Sequence, residues 1–143
     1  MSQHVRSGEH SDREDACAAF RRGDVNAIVA LLDEQVEWEG VKGSEGVAPH
    51  AGVRRGRAAV GGFFSIVGST LDFQEFVPKE FIAQADQVAA IGSYKATVKA
   101  TRKVAAAAWV MVFTFRNGKI VRFREFSDSA AINGAFMGAA ATA

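Results

Sequence analysis

The chain has 143 residues, 48% of them hydrophobic, and its 17 basic and 16 acidic residues leave a formal net charge of +1. That length suits one domain with a substantial core, and so balanced a charge excludes the global field by which proteins attract nucleic acid. A single cysteine, Cys17, excludes an internal disulfide framework, and the longest apolar run, Val104 to Phe115, is too short to span a bilayer.

Residues 1–10 are polar and aperiodic, without the apolar segment of a signal peptide, so a flexible tail and a cytoplasmic location are expected. Ser11, Asp12, Arg13 and Glu14 fit a capping box. The helix that follows carries Ala16, Ala19 and Phe20 on one face and stops near Gly23. Cys17 lies in this helix as a small packed residue. Asp24 can cap a second helix, with Val25, Ile28, Val29 and Leu32 as its apolar stripe. Gln35 to Glu39 alternates and predicts a first strand, with Val36 and Trp38 on one face. The Gly-rich segment from Val41 to Gly56 is expected to be a long loop. From Gly56 to Ser69 helical spacing returns, with Val60, Phe63, Phe64 and Val67 on one stripe. Gly61, Gly62 and Gly68 weaken that helix intrinsically, so packing must hold it.

From Leu71 the pattern is mostly strand: Leu71–Phe76, Lys79–Gln84, Val88–Lys99 and then a long hairpin, with Pro78 marking an interruption. The hairpin runs from Trp109 to Asp128 around Asn117-Gly118, a dipeptide that favours a two-residue type I′ turn. Pairing Arg116 with Lys119 and continuing outward sorts its residues onto two surfaces. Val110, Val112, Thr114, Val121, Phe123 and Glu125 would face a cavity. Trp109, Met111, Phe113, Phe115 and Ile120 would share the other surface with Arg122, Arg124, Phe126 and Asp128. A short helix capped by Asp128 or Ser127 closes the domain, leaving residues 138–143 as a second tail and 11–137 as the domain. Helices first and a curved sheet after define an α+β class. Order and lengths admit a bent sheet that wraps the long helix and leaves a cone-shaped cavity.

Three motifs, FRRGDVNAIVALLDEQVEWEG, AGVRRGRAAVGGFF and WVMVFTFRNGKIVRFREFSD, resemble the SnoaL-like group of the nuclear transport factor 2-like superfamily. The resemblance spans Ser11 to Phe136. It implies a cone-shaped α+β barrel with a strongly curved, mixed or antiparallel sheet around a long helix. Members include polyketide cyclases, ketosteroid isomerases, limonene-epoxide hydrolases, dehydratases and noncatalytic binders, so fold alone does not select a function. In the last strand, Phe123-Arg124-Glu125-Phe126-Ser127-Asp128 resembles the Trp-Arg-Asp-Tyr-Phe-Asp pattern of the epoxide hydrolases, whose first Asp activates water. SnoaL-type cyclases are similar, with an acid at the same place. The resemblance therefore puts Glu125, one methylene longer, at the catalytic carboxylate position. The hydrolases' Arg-x-Asp pair has no counterpart in Gly92 to Ala96, which argues against epoxide hydrolysis. The ketosteroid isomerase base falls near Trp38, and an indole cannot abstract a proton.

Glu125, alone on an apolar surface, is expected to be desolvated and to hold its proton more tightly, as a general acid or base requires. A salt-bridged edge carboxylate is the alternative. Asp128 is the rival acid, although capping explains it. Tyr94 would donate a hydrogen bond to a developing oxyanion or simply pack in its strand. His50 would shuttle protons at the pocket mouth or be an exposed loop histidine. Trp38, Phe63, Phe73, Phe81, Val110, Val112 and Phe123 are the expected pocket walls. No metal site or cofactor is expected. The Trp109, Met111, Phe113, Arg122, Arg124 and Phe126 surface has the composition of an interface core, and the family dimerises through its outer sheet surface, so a homodimer is expected. Two functions remain open: a cofactor-independent acid/base enzyme (isomerase, cyclase or hydratase/hydrolase type) acting on a small hydrophobic carbonyl or polyketide-like compound, or a noncatalytic binder of a small hydrophobic molecule. No partner of nucleic acid or membrane type is expected.

Overall fold

The computed structural model describes residues 13–138. Ser11 of the expected capping box, the tail over residues 1–10 and residues 139–143 lie outside the described residues. Helix α1 occupies 13–22 and ends at Gly23, whose φ of +66° suits a residue without a Cβ. Asp24 then accepts a hydrogen bond from the Ala27 amide at 3.1 Å and starts α2, Val25–Ala30. The chain enters β1 (Leu32–Gly40) at once, so Leu32 belongs to a strand rather than to the helical stripe. Val36 and Trp38 point inward as the alternation requires, at 0% and 2% exposure. The expected long loop is shorter, because Gly52–Arg55 forms β2, antiparallel to β1. Gly56, at φ +85°, precedes α3 (Arg57–Thr70), which buries Val60 and Phe63.

Strands β3 (Leu71–Gln84), β4 (Gln87–Val98), β5 (Val104–Arg116) and β6 (Lys119–Ser127) follow, and α4 (Ser129–Phe136) closes the chain with Asp128 as its cap. The six strands form one sheet in the order β2-β1-β6-β5-β4-β3. Strands β1 and β6 run parallel, and every other neighbouring pair is antiparallel. The sheet is therefore mixed and curved, not closed. The two expected strands around Pro78 are one continuous β3, which tolerates proline because it lies at the sheet edge. Register shifts at Phe73/Glu75 and Pro78/Glu80 are the irregularities that bend it.

The hairpin departs from its expected register. Arg116 pairs with Lys119 and Phe115 with Ile120, but Thr114 then pairs with Arg122, leaving Val121 as an extra residue. From there Phe113 faces Phe123, Met111 faces Glu125 and Trp109 faces Ser127. The bulge inverts which face of β5 accompanies Glu125. Trp109, Met111, Phe113 and Phe115 now share the interior with Ile120, Phe123 and Glu125, whereas Val110, Val112, Arg122, Arg124 and Phe126 are on the outside. An unbulged ladder would bury guanidinium groups or expose four large apolar side chains. One extra residue keeps the four apolar side chains inside and Arg122 exposed, and leaves Arg124 half-buried on the outer face.

The core is strongly aromatic. The Phe20 ring meets Phe76, Trp109 and Phe113 edge-on at 5.4, 5.6 and 5.4 Å, and Trp109 stacks on Phe76 at 5.2 Å. Gly92 makes room for this stack, since a Cβ there would lie 2.6 Å from Trp109 Cζ2 and closer still to the Val77 carbonyl. Trp109 belongs to the core.

Candidate functional site

Between α2, α3 and the concave side of the sheet lies a cavity of about 430 Å³. Strand alternation and the β6 bulge place Glu125 on its wall, 5% exposed. Glu125 Oε2 accepts a hydrogen bond from Ser127 Oγ at 2.8 Å. Ser127 is two residues on in the same strand, so both side chains leave the same face. Burial pushes the Glu125 carboxyl up from 4.5 to about 7, against smaller opposing effects of the Ser127 hydroxyl and the Val41 backbone amide. Among the described residues, no cationic side chain lines the cavity to offset the burial.

Tyr94 comes to the same wall from β4, 7% exposed, with its ring edge-on to Phe73 at 5.5 Å. Burial raises its pKa, and the charges of Glu125 and Asp128 raise it further, so the phenol is a neutral hydrogen-bond donor across the ordinary pH range. His50 reaches the cavity from the loop between β1 and β2. It is 4% exposed and sits against the rings of Phe63 and Phe136 at 6.0 and 5.7 Å. Burial, followed by the nearby Arg54 charge, lowers its pKa from 6.5 to about 4, and its Nδ1 is buried without a partner. The exposed loop histidine of the sequence alternative is thus a buried, neutral imidazole. Arg54 fixes that loop by donating to the carbonyls of His50 at 2.9 Å, Pro49 at 3.2 Å and Ala51 at 3.3 Å.

Among the expected pocket walls, Trp38, Phe63, Phe73 and Phe123 line the cavity, with Trp38 stacked on Phe123 at 3.8 Å across the parallel β1–β6 pair. Val110 and Val112 do not line it, because the bulge turns them outward. Phe81 is displaced to a separate small void beside Cys17, Val88 and Phe115. Of the expected interface, Trp109, Met111 and Phe113 are interior, and Met111 lines the cavity; Arg122, Arg124 and Phe126 stay on the outer face. Arg122 pairs there with Glu37, which also holds Arg55 at 2.9 Å. Asp128 is exposed and accepts from the Ala131 amide at 3.1 Å, the geometry of a helix cap. Sequence reasoning missed Phe20, Ile28, Phe64, Leu71 and Phe76 as walls, and Ser127 as the partner of Glu125. Only Ser127 had a usable signal, its two-residue spacing from Glu125. Among the described residues, no cluster of three His, Cys, Asp or Glu could hold a metal ion.

A mixed, bent sheet with helices, as seen here, is the architecture of NTF2-like proteins. The model of the SnoaL-like domain matches residues 14–123, more than half of the chain, and the protein belongs to that family. Solved structures similar to it include an NTF2-like protein of Burkholderia xenovorans LB400, 29% identical, covering 92% of this chain and 97% of its own, with a TM-score of 0.77. An NTF2-like protein of Burkholderia thailandensis E264 is 25% identical over 91% of this chain and 98% of its own, with a TM-score of 0.79. TerC, co-crystallized with polyporic acid, is 23% identical over 90% of this chain and 98% of its own at a TM-score of 0.71, a likeness of fold. No curated protein matches the chain.

Proposed function

We propose that the cavity binds a small, uncharged, hydrophobic carbonyl compound and that Glu125 transfers a proton to and from it without a cofactor. The observation that carries this is a carboxyl buried in a cavity large enough for such a molecule, with its pKa lifted to about 7. Near neutrality such a group is present in both forms, so it serves as base in one step and acid in the next. In the reaction class proposed, Glu125 takes a proton from the carbon next to the carbonyl. The C–H electron pair becomes the enolate double bond, and the carbonyl π pair moves to oxygen. The Tyr94 hydroxyl, still protonated, donates to that oxygen. Return of the proton from Glu125 to the same carbon or a conjugated one completes an exchange or an isomerisation. His50 stays neutral and forms a wall of the cavity. With no cation on its wall among the described residues, the cavity disfavours an anionic ligand, which would meet Glu125 unpaired.

The test is deuterium exchange. In D2O, the protein should speed α-proton exchange in 2-tetralone, followed by NMR, with a rate that rises through about pH 7. Glu125→Gln should reduce the protein-dependent rate at least a hundredfold. Equal exchange with the variant removes Glu125 from the mechanism. A noncatalytic binding role would be favoured by tight binding of 2-tetralone with no exchange. We also propose that a second copy packs on the outer sheet face through Arg122, Arg124 and Phe126, with Val110 and Val112 replacing the interior Trp109, Met111 and Phe113. Light scattering that shows a monomer at micromolar concentration would contradict this.

A further inference from the structure

The cavity wall has a buried part and an exposed part of unlike character. Among the described residues, Glu125, Tyr94, His50 and Trp38 are buried there and include every titratable side chain on the wall. The exposed lining residues are Gly23 at the α1–α2 turn, Val25 at the start of α2, Gly68 near the end of α3 and Phe73 in β3. These four come from separate elements and carry no charged side chain, so together they frame an apolar mouth, with Phe73 edge-on to Tyr94 at 5.5 Å on its β3 side.

Gly68 is the unusual member of that frame. It lies inside α3, where glycine lowers helix stability. Its φ is not positive, and a Cβ built on it meets nothing within 4 Å, so neither backbone conformation nor tight packing requires glycine there. Its carbonyl accepts from Lys99 Nζ at 3.0 Å, a bond any residue would allow. What a side chain at position 68 would do is occupy the open space at the mouth.

We infer that Gly68 is a specificity-determining residue, which keeps the mouth open for the apolar tail of a ligand whose oxygen-bearing head lies against Glu125 and Tyr94. The inference rests on the proposed binding of a small hydrophobic carbonyl compound. Head-first entry follows from the division of the walls. At the mouth Lys99 Nζ already donates to the Gly68 carbonyl, and an oxygen function among Gly23, Val25 and Phe73 would lose hydrogen bonds to water, whereas on the buried wall it meets the Tyr94 hydroxyl.

The inference is tested with 4-alkylacetophenones, from methyl to hexyl, which hold the head constant while the tail grows. Titration calorimetry on the wild-type protein should show affinity increasing by up to roughly fourfold for each methylene buried. Gly68→Leu should lower the hexyl-to-methyl affinity ratio at least tenfold, and Gly68→Ala should lower it less. Val25→Phe, on the opposite rim, should lower the same ratio, which keeps the test open if Gly68→Leu does not fold. The thermal midpoint of Gly68→Leu should rise, since leucine is the better helix former. An unchanged ratio in both Gly68→Leu and Val25→Phe, or equal loss of methyl and hexyl compounds, would overturn the inference. Failure of the wild-type protein to bind any member would instead refute the binding reading beneath it, and the inference with it.

Discussion

Two of the buried titratable groups on the cavity, Glu125 and His50, should give this protein an unusual dependence of stability on pH. Glu125 titrates at about 7 in the fold, against 4.5 for a free carboxyl. Between those values the unfolded chain releases its proton while the folded protein holds it, so the contribution to stability falls as pH rises. At 1.36 kcal/mol per pH unit, the loss is about 3 kcal/mol by pH 7. His50 does the reverse. Its pKa falls from 6.5 to about 4, so on acidification the unfolded chain gains a proton that the folded protein refuses. That loss is also about 3 kcal/mol, complete only near pH 4. Between pH 4.5 and 6.5 the two slopes oppose each other, and their contributions sum to about zero over the interval.

Each single substitution should expose the other group. Glu125→Gln should lose roughly 2 to 3 kcal/mol of stability as pH falls from 6.5 to 4.5, because only the His50 slope remains. His50→Gln should lose a similar amount as pH rises over the same interval, through Glu125 alone. Urea denaturation at half-unit steps of pH, followed by tryptophan fluorescence, measures both, and groups titrating elsewhere cancel in the differences. The absolute stability of either variant includes packing changes, so the slopes carry the prediction. If both variants ran parallel to the wild type across this interval, the buried, neutral His50 and the raised Glu125 would both be refuted.

Ser127→Ala removes the 2.8 Å hydrogen bond that favours the charged carboxylate, so the Glu125 titration followed by carboxyl NMR should move above its wild-type position; an unmoved midpoint would separate Ser127 from Glu125. Asp128→Ala should cost about 1 kcal/mol in denaturation experiments through the lost α4 cap, and should leave the exchange rate within a few fold if Glu125 is the functional acid. Trp109→Ala, which empties the aromatic core, should cost about 3 to 5 kcal/mol, against less than about 1 for Phe126→Ala in the isolated subunit. Equal costs would contradict the bulged register.

The amino-acid sequence by itself determined most element types, β2 within the expected loop excepted, because capping residues, the 3.6-residue stripe of α3 and the alternation of β1 act within a few residues of chain. Asp24, Asp128 and Asn117-Gly118 could be read for the same reason: a cap or a tight turn is a local hydrogen-bonding and steric event. It also singled out Glu125, since an acid within an apolar strand pattern must be either desolvated or at an edge. The companions of Glu125 were decided by tertiary structure. A single extra residue at Val121 exchanges the two faces of β5, and no local preference distinguishes the two registers. The choice follows from what each buries, and the chain buries Trp109, Met111 and Phe113 while leaving Arg122 exposed and Arg124 half-buried on the outer face. The burial of His50 and the frame around Gly68 arise likewise, from contacts between segments far apart in the chain.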